Sequence, residues 1–145
     1  MADIKTIVGF LHKVPLFQTL KNRQLEMLAK RFVERSYAAG KVVVTQGQGG
    51  EGFFVVVSGK CEAVRERGDG EKIVVNVFGP GDFFGELALL DDSGLRTATV
   101  TAVENTVCLV LTRWDFIAVL KEDVEMAIDI LQEMAKRFRI ALDVL

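Results

Sequence analysis

The 145-residue sequence holds one histidine, two cysteines, two prolines and one tryptophan, and it has no surplus of basic charge. Each of these shortages excludes something. Lysine and arginine number 18 against 20 aspartate and glutamate, a net charge of −2. Non-specific nucleic-acid binding needs a basic surplus to displace counterions from phosphates, so no nucleic-acid partner is expected for this chain. The lone histidine, His12, cannot supply the histidine cluster of a metal-dependent barrel enzyme, and it lies far in sequence from Ser58 and Ser93. Neither a metal site nor a serine nucleophile with a histidine base is therefore expected, and the chain reads as non-catalytic. Cys61 and Cys108 lie inside apparent strands without C-x-x-C spacing, which predicts buried free thiols in a reducing compartment. The longest apolar runs, such as Phe53 to Val57, fall far short of the ~18–20 residues that span a bilayer. Met-Ala-Asp-Ile-Lys-Thr at the N-terminus lacks the basic start and apolar stretch of a secretory signal. The expected location is the cytoplasm, with no membrane span.

Half of the residues are apolar and about a quarter are charged, the balance of an ordinary globular protein, and the length fits one domain of ~100–200 residues. Residues 1–39 read as a helical leader. Phe10, Leu11, Val14, Leu16 and Phe17, then Leu20, Leu25, Leu28, Ala29 and Phe32, recur at three- and four-residue spacing, with Pro15 ending or kinking the first segment. From Gly40 the period changes. Segments 41–45, 53–58, 61–67, 71–78, 98–103 and 106–111 are rich in Val, Phe and Thr, and short glycine-bearing turns separate them. Many short strands at this spacing predict a sandwich or barrel over residues 40–111, with about eight strands once brief segments are included.

Helix returns over residues 112–145. Thr112 to Asp115 fits a capping box opening a short helix to about Leu120, and Asp123 can cap a longer one towards Leu145. On that helix Val124, Ala127, Leu131, Met134, Phe138, Ala141 and Leu145 follow the a/d pattern of a coiled-coil seam. Ile128, Ile130, Ala135, Ile140 and Leu142 widen the stripe, which suits packing on the chain's own barrel as well as a homodimer. Trp114 reads as a core residue.

The segment with chemistry in it is Phe83-Phe84-Gly85-Glu86-Leu87-Ala88-Leu89-Leu90, followed after Asp91 to Leu95 by Arg96-Thr97-Ala98-Thr99-Val100. A glycine between a strand and a run of helix formers leaves the N–H groups of Glu86, Leu87 and Ala88 without partners, a place for an anion. Arg96 offers a planar fork of donors that suits a phosphate, and Glu86 offers oxygens that accept from sugar hydroxyls. Together they describe a sugar-phosphate pocket. The plainer reading of Glu86 and Arg96 is a structural ion pair between two loops.

This segment resembles the phosphate-binding cassette of cyclic nucleotide-binding domains, F-G-E-[LIM]-A-L followed by R-[ATS]-A-T-[VI]. Glycines Gly40, Gly47, Gly50, Gly59, Gly81 and Gly85, and the opening Phe10 to Phe17, fit the same family, so the resemblance covers practically the whole chain. It implies an eight-stranded, jelly-roll-like β-roll, a double-stranded β-helix with N- and C-terminal helices, that binds cAMP or cGMP without a further cofactor. Carried over, Arg96 holds the cyclic phosphate with the N–H groups of Leu87 and Ala88. Glu86 accepts from the ribose 2′-hydroxyl, Gly85 admits the backbone, and Phe84, Thr97 and Ala98 complete the site. Thr97 stands where members responding to cGMP often carry threonine and those favouring cAMP often carry alanine. Family members cover the base with the last helix, which here offers Arg137 and Phe138. Arg137 also lies four residues after Glu133, the spacing of an ordinary helix-surface pair. Asn76 can face the base only if the strand register turns it inward. The loop before Arg96 departs from the family in lacking its usual proline, in carrying Asp91 and Asp92, and in being one residue longer than the compact eukaryotic form.

Two functions follow. One is a sensor that binds the nucleotide, moves its C-terminal helices and so acts on an effector protein or domain. The other is a nucleotide-independent interaction module of the same fold. A transcription regulator would need a helix-turn-helix beyond Leu145.

Overall fold

Among the described residues from Phe32 to Arg113 the chain forms eight antiparallel strands. They are β1 (Val33–Tyr37), β2 (Val42–Val44), β3 (Gly52–Ser58), β4 (Cys61–Glu66), β5 (Lys72–Phe78), β6 (Phe83–Phe84), β7 (Thr99–Ala102) and β8 (Thr106–Thr112). One sheet has the order β1-β8-β3-β6 and the other β2-β7-β4-β5. The computed structural model describes residues 2–49, 52–91 and 95–145. Gly50, Asp92 and Ser93, which figured in the sequence analysis, lie outside the described residues.

The interior of this β unit is built from alternate residues of both sheets: Phe54, Val56, Cys61, Ala63, Phe78, Phe84, Val100, Cys108 and Val110. Alternation along each strand turns these side chains to one face, and each large one that leaves water contributes about 1.5–3 kcal/mol. Phe84 stacks on Phe54 with ring centroids 4.9 Å apart and meets Phe78 at the same distance. Both cysteines are buried and free, and burial pushes the Cys108 thiol up to about 12. In the β4–β5 pair, Cys61 lies opposite Phe78 and Ala63 opposite Asn76. Directly paired residues share a face, so Asn76, itself exposed, lies on the same side of the sheet as buried Cys61, Ala63 and Phe78.

The turn after β3 depends on Gly59. Its φ is +92°, and a Cβ there would run into the Asn105 carbonyl and Thr106. Buried Thr106 in turn accepts the Lys60 N–H at 3.1 Å and donates to the Glu104 carbonyl at 2.8 Å, which joins the β3–β4 and β7–β8 turns.

The first strand differs from expectation. Residues 33–37 belong to β1, not to the helical leader, and pair with β8 from Val33↔Val110 to Tyr37↔Thr106. Val-Glu-Arg-Ser-Tyr is largely exposed and carries no alternating apolar signal, so the long-range ladder decides its conformation.

Residues 1–31 and 114–145 form the second, helical unit. Helix α1 (Ile4–Leu11) is capped by the Asp3 carboxylate, which accepts the Thr6 N–H at 2.8 Å and is thereby held below its ordinary pKa. Pro15 opens a 3-10 turn over Pro15–Phe17, where its missing N–H costs nothing. Helix α2 (Asn22–Ala29) follows, with the Gln24 side chain accepting the Lys21 N–H at 2.9 Å. Helix α3 (Arg113–Glu122) runs two residues past the expected end, and α4 (Val124–Val144) is capped by Asp123, which accepts the Met126 N–H at 3.1 Å. Phe17 packs against Phe116 with centroids 6.1 Å apart. Lys21 pairs with Glu125, Arg23 with Asp123, and Arg31 with both Asp115 and Glu122, at 3.2–3.4 Å. Trp114, expected in the core, is instead 61% exposed, because Phe116 and Val119 take the buried positions of α3. Among the described residues no helix is long and apolar enough to cross a membrane.

Candidate functional site

Within the β unit lies a cavity of about 580 Å³, lined by strands of the β2-β7-β4-β5 sheet and by the segment that joins β6 to β7. All eight ligand-binding candidates, Phe84, Gly85, Glu86, Leu87, Ala88, Arg96, Thr97 and Ala98, line it. Two glycines and a phenylalanine bring them together. Gly85 follows β6 with φ +86°, a left-handed conformation that turns the chain sharply into a short 3-10 helix, Glu86–Leu89. A Cβ at Gly85 would stand 2.5 Å from Arg96 Nη1 and 2.8 Å from the Gly52 carbonyl oxygen, so the guanidinium lies directly against this backbone.

Arg96 is fixed at both ends. Its N–H donates to the Gln48 carbonyl at 2.9 Å, and its own carbonyl accepts the Gly47 N–H at 2.8 Å. At the far end Nη2 donates to the Gly52 carbonyl at 2.7 Å, and the guanidinium carbon lies 5.9 Å from the centroid of the Phe54 ring. The Nε of Arg96 is buried and has no hydrogen-bond partner. Burial lowers the guanidinium's pKa from its ordinary value, which records that the charge is carried without full compensation. Among the described residues Arg96 has no carboxylate partner, and Glu86 is not paired with it. The ion-pair reading of these two residues is thus not what the geometry builds.

One donor differs from expectation. The Ala88 N–H is not open, because the 3-10 turn directs it to the Gly85 carbonyl at 3.1 Å. Glu86 and Leu87 precede it in the first turn, where a helix has no preceding carbonyl to offer. Leu87 is 61% exposed, so its N–H sits in a segment open to solvent or ligand.

The base-lid candidates Arg137 and Phe138 belong to α4 of the helical unit and are not in the lining of this cavity. Arg137 Nε lies 3.4 Å from Oε1 of the buried Glu133, the surface-helix pairing that its spacing predicts, and Phe138 is 66% exposed. His12 bonds to Asn22 at 2.9 Å, and no cluster of metal-ligating side chains occurs among the described residues.

Sequence reasoning did not single out Gly52 and Phe54, which hold the Arg96 guanidinium, or Arg65, whose Nε donates to the Thr97 carbonyl at 3.2 Å. All three act across strand pairings, and no local motif marks them. Asn76, left open by sequence, does line the cavity.

This arrangement is a cavity walled by a β-sheet, with one constrained cation facing a sharply turned backbone. Comparison with known proteins places it. The model of the cyclic nucleotide-binding domain matches residues 34–123. The chain is 35% identical over 125 residues to the cyclic AMP receptor protein of Thermus thermophilus, covering 86% of this chain and 57% of that protein. A crystal structure of the N-terminal domain of a transcriptional regulator from Streptomyces coelicolor A3(2) superposes with a TM-score of 0.85 at 33% identity, covering 94% of this chain and 96% of that one. The regulatory domain of Toxoplasma gondii PKA, crystallised with cAMP, gives a TM-score of 0.74 at 34% identity, covering 84% of this chain and 47% of that one. The chain belongs to the cyclic nucleotide-binding domain family, with the β-roll and flanking helices expected from its sequence. It spans little more than half the length of the Thermus relative.

Proposed function

We propose that this chain is a cyclic-nucleotide sensor domain, regulatory and not catalytic, that binds cAMP or cGMP in the cavity beneath Gly85 and Arg96. The observation that carries the reading is the state of Arg96: a guanidinium held against a glycine backbone, with a buried Nε that has no hydrogen-bond partner and, among the described residues, no carboxylate paired with it. A buried donor left unmade costs about 1–3 kcal/mol, and a cyclic phosphate would supply both the charge and the acceptor. In this assignment the phosphate sits on Arg96 and the Leu87 N–H, and Glu86 accepts from the ribose 2′-hydroxyl. Ala88 and Ala98 contribute their small size, and Phe84 supports the floor. Thr97 lies on the lining next to Arg96 and is the position from which a hydroxyl would meet the base.

Signalling requires that the two states of the domain differ in ligand affinity. The candidates for the moving part are α3 and α4, with Arg137 and Phe138 as the lid over the base. Output passes to an effector protein or domain. Along α4, Val124, Leu131 and Phe138 recur every seventh residue and are 64%, 67% and 66% exposed, which favours a second copy of the chain as a partner on this row.

The test is a thermal melt with cAMP, cGMP and AMP on nucleotide-free protein, repeated on Arg96→Ala and Arg96→Lys. Ligand at ~100 times its dissociation constant adds about 2.7 kcal/mol, a rise of several degrees. The sensor reading expects that rise with a cyclic nucleotide, none with AMP, and its loss in both variants. The interaction-module alternative expects no rise with any of them and no effect of the substitutions.

A further inference from the structure

The wall opposite the cassette has a polar character of its own. Asn76 lies on the inward side of β5, opposite Ala63, and lines the cavity with Ala63, Phe78 and Val100, so it is a polar group set among apolar ones. Its amide, though exposed, has one end engaged. Oδ1 accepts the Val77 N–H at 2.8 Å, and only the oxygen end of the amide can do so. The oxygen is thereby held back against its own strand, and the two hydrogens of Nδ2 remain to be offered. The neighbouring strand β4 contributes Arg65, also in the lining. Its Nε is spent on the Thr97 carbonyl at 3.2 Å, and a guanidinium has no acceptor to give. The sheet wall thus presents donors. The carboxylates in the lining, Glu86 and Asp91, come from the cassette segment.

A purine is told apart along the edge that carries position 6 and N7. Guanine shows two acceptors there, O6 and N7, whereas adenine shows the N7 acceptor and an amino donor. An asparagine with both ends available can serve adenine with its oxygen and its nitrogen together; with the oxygen committed, that pairing is lost. With a cyclic nucleotide in the cavity, as proposed above, we infer that Asn76 and Arg65 read the 6-position edge of the base and make the site selective for a 6-oxopurine over a 6-aminopurine. The role is distinct from that of Thr97, which would meet a 2-amino group.

Calorimetric titration of the nucleotide-free chain with cAMP, cGMP and cIMP separates these contributions, because the inosine nucleotide has O6 and lacks the 2-amino group. The expected result is that cGMP and cIMP both bind about tenfold more tightly than cAMP, within the discrimination of one good base-edge pair. Asn76→Asp keeps an oxygen for the Val77 N–H and replaces the donor with an acceptor, so the cIMP-to-cAMP preference should collapse or reverse. The ratio is measured within each protein and does not depend on its stability. If cIMP falls with cAMP while cGMP stays tight, the discrimination lies at position 2 and the inference is wrong. It is equally wrong if the three nucleotides bind alike, or if Asn76→Asp leaves the ratio unchanged; in each case the sensor function stands. If no cyclic nucleotide binds, both proposals fall.

Discussion

Arg31 and Arg96 are both arginines that are neither fully buried nor fully exposed, yet their surroundings differ. In the helical unit Arg31 meets two carboxylates, Asp115 and Glu122, and Lys21, Arg23 and Arg137 each meet one. In the β unit the Arg96 guanidinium meets the Gly52 carbonyl at the start of β3 and the Phe54 ring, and its Nε has no hydrogen-bond partner. Paired cations at a half-solvated surface close their own electrostatics and contribute little beyond that. A cation pinned in place with no carboxylate partner among the described residues holds an interaction in reserve, and the fold carries that cost until an anion arrives.

The largest expected effect that would break this contrast is on binding at Arg96. Arg96→Ala should weaken a cyclic nucleotide by at least roughly a hundredfold, because the phosphate loses its charge-assisted partner. The stability of the ligand-free domain should move by only about 1 kcal/mol, because the lost Gly52 hydrogen bond is offset by removal of a desolvated charge. Isothermal titration and urea unfolding on the same preparation read the two quantities. Gly85→Ala should lose both, with about 1–3 kcal/mol of stability gone, since its φ of +86° strains any side chain and the new Cβ meets the guanidinium. Glu86→Gln should weaken the nucleotide by about tenfold, and the 2′-deoxy nucleotide should show the same loss without a further one in the variant, the signature of a shared contact. On the helical side, Arg31→Ala should cost less than about 1 kcal/mol, and the difference should shrink in high salt.

The last effect is confined to alkaline pH, concerns the thiols and bears on stability alone. The Cys108 thiol titrates from 9.0 in the ordinary state and is pushed up to about 12 by burial in the fold. Between those values the unfolded chain binds fewer protons than the folded one, so this group's contribution to stability falls as pH rises from about 9 towards 12 and is constant below. Urea midpoints measured across that range should decline less steeply in Cys108→Ala than in the native chain. In the folded state neither cysteine should react with a thiol reagent at neutral pH.

Much of the β unit was legible because its strands are rich in Val, Phe and Thr and lie between glycine-bearing turns, and the six strand segments read from sequence correspond to β2–β5, β7 and β8. The two that escaped carry no such signal. β1 is held by its ladder with β8, and β6 is only two residues long. The cassette residues could be read because they are contiguous and chemically distinctive. Their supports could not, because Gly52, Phe54 and Arg65 reach the site from other strands, and the inward turn of Asn76 depends on a register that only the folded sheet defines. The Ala88 donor was misread because the segment closes as a 3-10 turn, whose hydrogen bonds reach back one residue less than those of an α-helix. The helix caps at Asp123 and the break at Pro15 were local and therefore visible.

The most direct test of the sensor function is a calorimetric titration of the nucleotide-free chain with cAMP and cGMP, side by side with Arg96→Ala and Arg31→Ala. One site per chain is expected, saturable by at least one of the two nucleotides, lost in Arg96→Ala and kept in Arg31→Ala. Native protein that takes up neither nucleotide at millimolar concentration, or an Arg96→Ala variant that binds as the native chain does, would contradict that function.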